Sequence, residues 1–322
     1  LGRIFNPLFP RIGDSRQTLG PLWAKKLRNG FSVTVVEIIQ DDSCFLVLTV
    51  ALVGLMMGSF LNVVVYRLPI MMEKSWRIEC LDYLQMTKAS DLSTEPFNLS
   101  YPGSHCPHCG TRIHPLKNIP ILSYTVLRGR CSDCNKTISV RYPLVEFFTA
   151  ITSAAVAWKF GFSVETVMAL ILSWSLISLS LIDFDHQLLP DTITLPLLWL
   201  GLFASLFDIF IDSRSSIIGG IAGYLSLWSV YKLFKLITGK EGMGYGDFKL
   251  LAMLGTWMGW QKLPLIILMS SFVGAFIGVF LILIGRQERS KPIPFGPYLA
   301  VAGWVMLLFG DSILGAYLSM AF

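Results

Sequence analysis

Apolar runs of roughly membrane-crossing length recur along most of this chain, separated by short polar breaks and one long one. A bilayer crossing needs about 20 consecutive apolar residues. Eight candidates can be read: residues 44–66, 143–160, 166–182, 193–211, 216–237, 248–260, 263–284 and 293–320. The run 248–260 is too short for a standard crossing and is expected to lie partly buried among its neighbours. The last run is interrupted by Gly and Pro, as in a broken helix. The pattern predicts an all-α polytopic membrane protein of about eight transmembrane helices. Neither an internal repeat nor a low-complexity tract interrupts it.

The long polar break divides the chain into four parts. Residues 1–43 are an unassigned N-terminal segment, 44–66 a first transmembrane helix, 67–142 a polar loop domain, and 143–322 a transmembrane domain. The first segment begins at Leu1, and the first methionine is Met56. An incomplete or wrongly extended N-terminus is the expectation. Composition agrees with the membrane reading: 53% of the 322 residues are hydrophobic and only 15% charged, against roughly 25% charged in a soluble domain.

Charge then sets an orientation. The net charge of +5 matters less than where Lys and Arg lie. Ten of them fall between Arg67 and Arg141. Placing that loop in the cytoplasm also puts Lys240, and Arg286, Arg289 and Lys291, on the same side. The basic residues of 1–43 would then lie outside, against the rule.

Four of the six cysteines form two pairs, Cys106-Pro107-His108-Cys109 and Cys131-Ser132-Asp133-Cys134, with 21 residues between them. Two such knuckles supply four thiolates, enough to close a tetrahedral zinc site with no open position for water. A structural Zn2+ is therefore expected, with Gly110 and Gly129 suited to the tight turns. Two redox dithiols or disulfides are the alternative, and His105 or His108 could compete as ligands.

Candidate catalytic chemistry sits at two boundaries between apolar and polar sequence. Asp183 opens Asp183-Phe184-Asp185-His186-Gln187-Leu188-Leu189-Pro190-Asp191, and Asp247 closes Gly242-Met243-Gly244-Tyr245-Gly246-Asp247. Carboxylates at such places are costly to keep and usually functional. Two that meet can share one proton and activate water, as in aspartic proteases. The bland alternative is a pair of interface charges held by Lys249 or Arg67. Asp191 is expected to cap the next helix, and Asp185 to be solvated or to assist positioning. Glu146 either pairs with Arg141 or joins a substrate or cofactor site. The acids Glu73, Glu79, Asp82, Asp91 and Glu95 could attract a basic peptide or simply solvate the loop. The Gly274-x3-Gly278 spacing favours close helix packing.

Taken in order, these motifs resemble the type IV prepilin leader peptidases, bacterial inner-membrane aspartic proteases that are also N-methyltransferases. The resemblance covers residues 51–322 and runs through Gly58-Ser59-Phe60-Leu61-Asn62, Tyr66-Arg67-Leu68-Pro69, Ser104-His105-Cys106-Pro107-His108-Cys109 and Leu127-Arg128-Gly129-Arg130-Cys131. It continues through Arg141-Tyr142-Pro143-Leu144-Val145-Glu146, both aspartate loops, and Ile293-Pro294-Phe295-Gly296-Pro297. It implies cleavage of basic leaders from prepilins and type II secretion pseudopilins at the cytoplasmic membrane face, after Gly and before Phe. It further implies methylation of the new N-terminus by S-adenosylmethionine. The family's catalytic aspartates carry over to Asp183 and Asp247, and its tetracysteine motif to Cys106, Cys109, Cys131 and Cys134. Membrane lipid is the expected surroundings and no nucleic-acid partner is expected. The methyl-donor site is not legible, since no Gly-x-Gly-x-x-Gly follows a strand.

Three other readings compete. A presenilin-like protease would carry its acids at mid-span. An ion-coupled transporter would place them on broken helices near the bilayer midplane. A membrane-anchored zinc-ribbon binding module would need only one or two spans.

Overall fold

A computed structural model describes residues 43–85, 97–106, 108–113, 119–284 and 294–321. The basic segment 1–42, Asp91, Glu95, Pro107, Arg286, Arg289 and Lys291 lie outside the described residues. The described regular structure is helical, with two isolated bridges and no strand. In chain order the helices are α1 (Ser43–Tyr83), α2 (Leu122–Val126), α3 (Arg141–Phe160), α4 (Val164–His186), α5 (Asp191–Ser205), α6 (Ser213–Thr238), α7 (Tyr245–Met258), α8 (Leu263–Leu283) and α9 (Gly296–Ala321).

Apart from the one-turn α2, each helix matches one of the eight apolar runs. The count of crossings does not follow from that match. Among the described residues, five helices (α1, α4, α6, α8 and α9) are long and apolar enough to cross a membrane. Helix α5 has 15 residues and α7 has 14, each short of the usual span.

The first helix also differs from expectation. It does not stop at Tyr66 but continues for 41 residues through Pro69, about 60 Å at 1.5 Å per residue. That is twice the hydrocarbon thickness of about 30 Å. Glu73, Glu79 and Asp82 therefore lie on an exposed helix and not in a loop. The last helix is likewise unbroken, because Pro297 sits in its first turn, where no intrahelical bond needs its missing N–H.

Helix ends are fixed locally. Ser163 caps α4 by accepting from the Thr166 amide at 3.2 Å. Asp212 caps α6 by accepting from Ser215 at 3.0 Å. The α4 helix ends on Gln187 in the left-handed region, and α6 on Gly239.

The centre of the bundle is α7. Every residue from Asp247 to Met258 except Lys249 is buried, and Phe248, Leu250, Leu251, Met253, Leu254 and Trp257 are among the largest enclosed side chains. This is the short run expected to hide among its neighbours. It packs against α5, α6, α8 and α9, and the Trp257 indole donates to the Leu197 carbonyl of α5 at 2.9 Å. Outward faces carry Leu48, Leu52, Trp199, Phe203, Leu268, Phe272 and Phe276 exposed. An apolar rim around a better-packed centre is what lipid surroundings require.

The α6–α7 crossing depends on small residues. A Cβ at Gly219 would overlap the Gly255 carbonyl oxygen, and one at Gly223 would come 2.6 Å from the Leu251 oxygen. The backbones touch with no side chain between them. Gly219→Leu is expected to destabilise the bundle by about 3 kcal/mol or more, since the obstacle is backbone. A fall in the unfolding midpoint of the detergent-solubilised protein would register it, and an unchanged midpoint would count against this crossing. Gly274 plays the same packing role towards the Tyr298 ring, as its spacing suggested.

Candidate active site and metal centre

Asp183 lies in the last turn of α4, and Asp247 in the first turn of α7. Both are buried. The chain between α4 and α5 is only Gln187–Pro190, so Asp183 and Asp185 lie on α4 and Asp191 on α5, with a four-residue turn between the helices. Leu189 from that turn packs against Gly246 and Gly296. A Cβ at Gly246 would come 2.8 Å from Leu189 Cβ, and one at Gly296 would come 3.2 Å from Leu189 Cδ2. Leu189 thus touches the neighbours of both acids: Gly296, which meets Asp183 Oδ2, and Gly246, which directly precedes Asp247. Asp183 Oδ2 accepts a hydrogen bond from the Gly296 amide at 3.0 Å. The ends of α4, α7 and α9 thus meet at one point on one end of the bundle.

The neighbouring charges are paired elsewhere. Lys249 donates to both oxygens of Asp191, at 2.8 and 2.7 Å. Asp191 therefore does not cap its helix; Pro190 is the cap residue and no side-chain bond is made there. Arg141 forms a two-point pair with Asp185, at 2.9 and 2.6 Å, so Asp185 is tied to the start of α3. Arg67 is buried and donates to the carbonyls of Asn98, Leu99 and Pro102. Neither Lys249 nor Arg67 holds either central aspartate. Glu146 does not pair with Arg141. It accepts from the Ile121 amide at 2.7 Å and from Ser59, which fastens the segment before α2 onto the bundle. Sequence patterning could not have found these partners, because each joins residues 25 to 58 positions apart.

The four cysteines converge in the polar unit. Their Sγ atoms all lie within 4.8 Å of one another, with Cys106 and Cys134 at 3.8 Å. Zn–S bonds of about 2.3 Å in a tetrahedron put sulfurs about 3.8 Å apart, so the set fits zinc. It does not fit a disulfide, whose sulfurs are bonded at about 2.05 Å. Among the described residues, no histidine belongs to the cluster. His105 Nδ1 instead lies 3.1 Å from the Gly103 carbonyl.

The two knuckles repeat one backbone pattern. Cys106 N–H donates to Thr111, and Gly110 N–H returns to Cys106. Cys131 N–H donates to Lys136, and Asn135 N–H returns to Cys131. The turn residues are therefore Gly110 at φ 70° and Asn135 at φ 56°. Gly129 also has a positive φ, but it precedes the second pair and is pressed against the Tyr124 ring. The Cys109 thiol is drawn down to about 6 by the Thr111 side chain and then the Thr111 backbone. The Lys136 amide pulls Cys134 down, but burial and the sulfurs of Cys131, Cys109 and Cys106 outweigh it and leave Cys134 at about 11. Four sulfurs this close need a cation before all can ionise.

Comparison with known proteins agrees with this layout. The model of the bacterial peptidase A24 N-terminal domain matches residues 52–160. That of the type IV leader peptidase family matches residues 170–279. A prepilin leader peptidase/N-methyltransferase of Stutzerimonas stutzeri is 52% identical over 289 residues, covering 90% of this chain and 99% of that protein. One of Pseudomonas aeruginosa is 56% identical over 275 residues, 85% of this chain and 94% of that protein. One of Legionella pneumophila is 43% identical over 274 residues, 85% and 95%. No solved structure matches. With its helical bundle, its paired aspartates at helix ends and its tetracysteine unit, this chain belongs to the type IV leader peptidase family.

Proposed function

We propose that Asp183 and Asp247 form the catalytic dyad of a membrane aspartic peptidase that removes the basic leader of prepilins and type II secretion pseudopilins. The observation that carries this reading is the convergence of both buried acids at one end of the bundle, where Leu189 touches both Gly296, bound to Asp183, and Gly246, beside Asp247. Two adjacent carboxylates do not both ionise readily, so the pair holds one proton between them. The ionised member takes a proton from water, which attacks the scissile carbonyl. The protonated member donates to the carbonyl oxygen. Leu189 and the buried α7 limit water around the pair and so strengthen these interactions.

A prepilin is a hydrophobic helix behind a basic leader, so its scissile bond lies at the membrane face. Acids at helix ends meet it there, whereas a transporter or a presenilin-like enzyme would carry them at mid-span. The preferred bond is the one after Gly and before Phe. The basic content of residues 67–142 supports a cytoplasmic placement of that unit and of the site, in the bacterial inner membrane. The domain division proposed is 67–142 as the tetracysteine unit and 143–322 as the peptidase domain, with α1 continuing from 44–66 into the former.

Cys106, Cys109, Cys131 and Cys134 would hold a structural Zn2+, which when bound supplies a rigid cross-link and no open coordination position. Methyl transfer from S-adenosylmethionine to the new N-terminus rests on the relatives' name as N-methyltransferases. The test is incubation of the full chain in lipid with a purified prepilin and S-adenosylmethionine, read by mass spectrometry. The expected product is the mature pilin carrying one added methyl group at its first residue. An unprocessed prepilin would overturn the peptidase reading, and a cleaved but unmethylated product would overturn the second activity alone.

A further inference from the structure

The chain Pro294-Phe295-Gly296-Pro297 enters α9 beside the dyad. Phe295 accepts the first helical bonds of α9, from Tyr298 at 3.1 Å and Leu299 at 3.2 Å. The Gly296 amide is therefore among the N-terminal donors that no helix can satisfy internally. Pro297 has no amide hydrogen, so the Gly296 N–H is the donor that this turn presents. It goes to Asp183 Oδ2 at 3.0 Å, a bond buried in the bundle between residues 113 apart. The approach requires glycine: a Cβ at 296 would come 2.6 Å from that oxygen and 3.2 Å from Leu189 Cδ2.

The geometry points to Gly296 as a positioning residue for the cleavage reaction: its amide fixes Oδ2 of Asp183 and leaves Oδ1 as the oxygen available to the reacting water. This rests on the dyad reading above and adds the element that orients it. The backbone of α9 does for Asp183 what a third polar side chain does in other nucleophilic constellations, and it also opposes the unfavourable C-terminal end of α4.

The charged groups on the elements packed against α4 leave this bond as the main polar contact of Asp183. On α3, Arg141 is paired with Asp185, and Glu146 with Ile121 and Ser59. On α1, Arg67 is turned to the carbonyls at 98–102. On α5, Asp191 is paired with Lys249 of α7. On α9, Asp311 is paired with Lys262 at the far end. None of these contacts involves Asp183, whose hydrogen-bond partner across the bundle is the Gly296 amide.

The test compares two variants of the full chain in lipid discs, with Asp183→Asn and Asp247→Asn as references. Gly296→Ala adds the clashing Cβ. It is expected to lower kcat for prepilin cleavage about tenfold to a hundredfold, with KM little changed, as for a misplaced catalytic group. Because that variant could also disturb folding, the second replaces the 295–296 amide by an ester through incorporation of glycolic acid. It replaces the N–H by an ester oxygen, which cannot donate, and adds no side chain. A carboxylate that loses a donor holds its proton more tightly, so one limb of the pH profile of kcat/KM is expected to move up by about one pH unit. The limbs report the pair and not either acid alone, so movement of the acidic or of the basic limb counts equally. Either supports the positioning role, which a purely structural glycine would not reproduce. An unmoved profile with unchanged kcat, while both Asn variants are inactive, would overturn the inference and leave the dyad standing. Activity in either Asn variant would instead remove the dyad itself.

Discussion

Asp183→Asn and Asp247→Asn are each expected to reduce leader cleavage by about 10³-fold or more, and the double variant to be no worse than either single one. Groups that act as one unit are strongly non-additive, because losing either abolishes the shared step. The isosteric change keeps the fold. In Asp183→Asn the side-chain amide retains a carbonyl oxygen to accept from the Gly296 N–H, which lies 3.0 Å from Oδ2 of the native acid, and neither acid forms an ion pair among the described residues. The contrast lies in the next acids along the chain. Asp185 and Asp191 sit in partly exposed ion pairs with Arg141 and Lys249, worth about 1 kcal/mol or less apiece. Asp185→Asn and Asp191→Asn are therefore expected to slow cleavage only severalfold. The measurement is processing of a prepilin by membranes holding matched amounts of each variant. Retained cleavage in Asp183→Asn or Asp247→Asn removes that residue from the mechanism and sends the assignment to Asp185 or Asp191.

The sequence was most legible where the physics is local. Eight apolar runs became eight helices, because hydrophobic length is a property of contiguous residues. The Cys-x-x-Cys knuckles were readable because each closes over a few residues. Helix continuation was less so: α1 runs on through Arg67 and Pro69, since Arg67 is buried by carbonyls from residues 98, 99 and 102, which no window centred on 67 contains. The same limit hid the roles of Asp191, Arg141 and Glu146. Local patterning offers Asp191 as a cap and Arg141 as a partner for Glu146, whereas each binds a group on another helix or on the segment before α2. Gly296 was legible only as part of a resembling motif. Its hydrogen bond to Asp183 exists because α9 packs back against α4 after α5, α6, α7 and α8 have intervened in the chain, a matter of tertiary packing.

The tetracysteine unit leads to the second large expected effect, which concerns stability. Between residues 97 and 140 the described regular structure is the five-residue α2 and two isolated bridges. Cys106 is the one buried apolar side chain there among those described. A segment of this kind cannot hold itself by a hydrophobic core. A metal bound by four thiolates can, since structural zinc contributes about 10–16 kcal/mol of apparent binding energy in zinc-finger peptides. Replacing Cys106 and Cys134 by Ser, at the 3.8 Å contact, is expected to lower bound zinc from one per chain to near none. It should also expose residues 97–140 to limited proteolysis. Cleavage of prepilin is expected to survive within about tenfold, because a closed four-sulfur site offers no water for catalysis and both aspartates lie on bundle helices. The residual loss would travel through two attachments, the Glu146 carboxylate on the Ile121 amide and Arg141 on Asp185. Zinc content by atomic emission, protease mapping and processing rates on the same preparation separate these effects. Complete loss of cleavage in a variant whose bundle still melts normally would show that the metal centre does more than hold the loop.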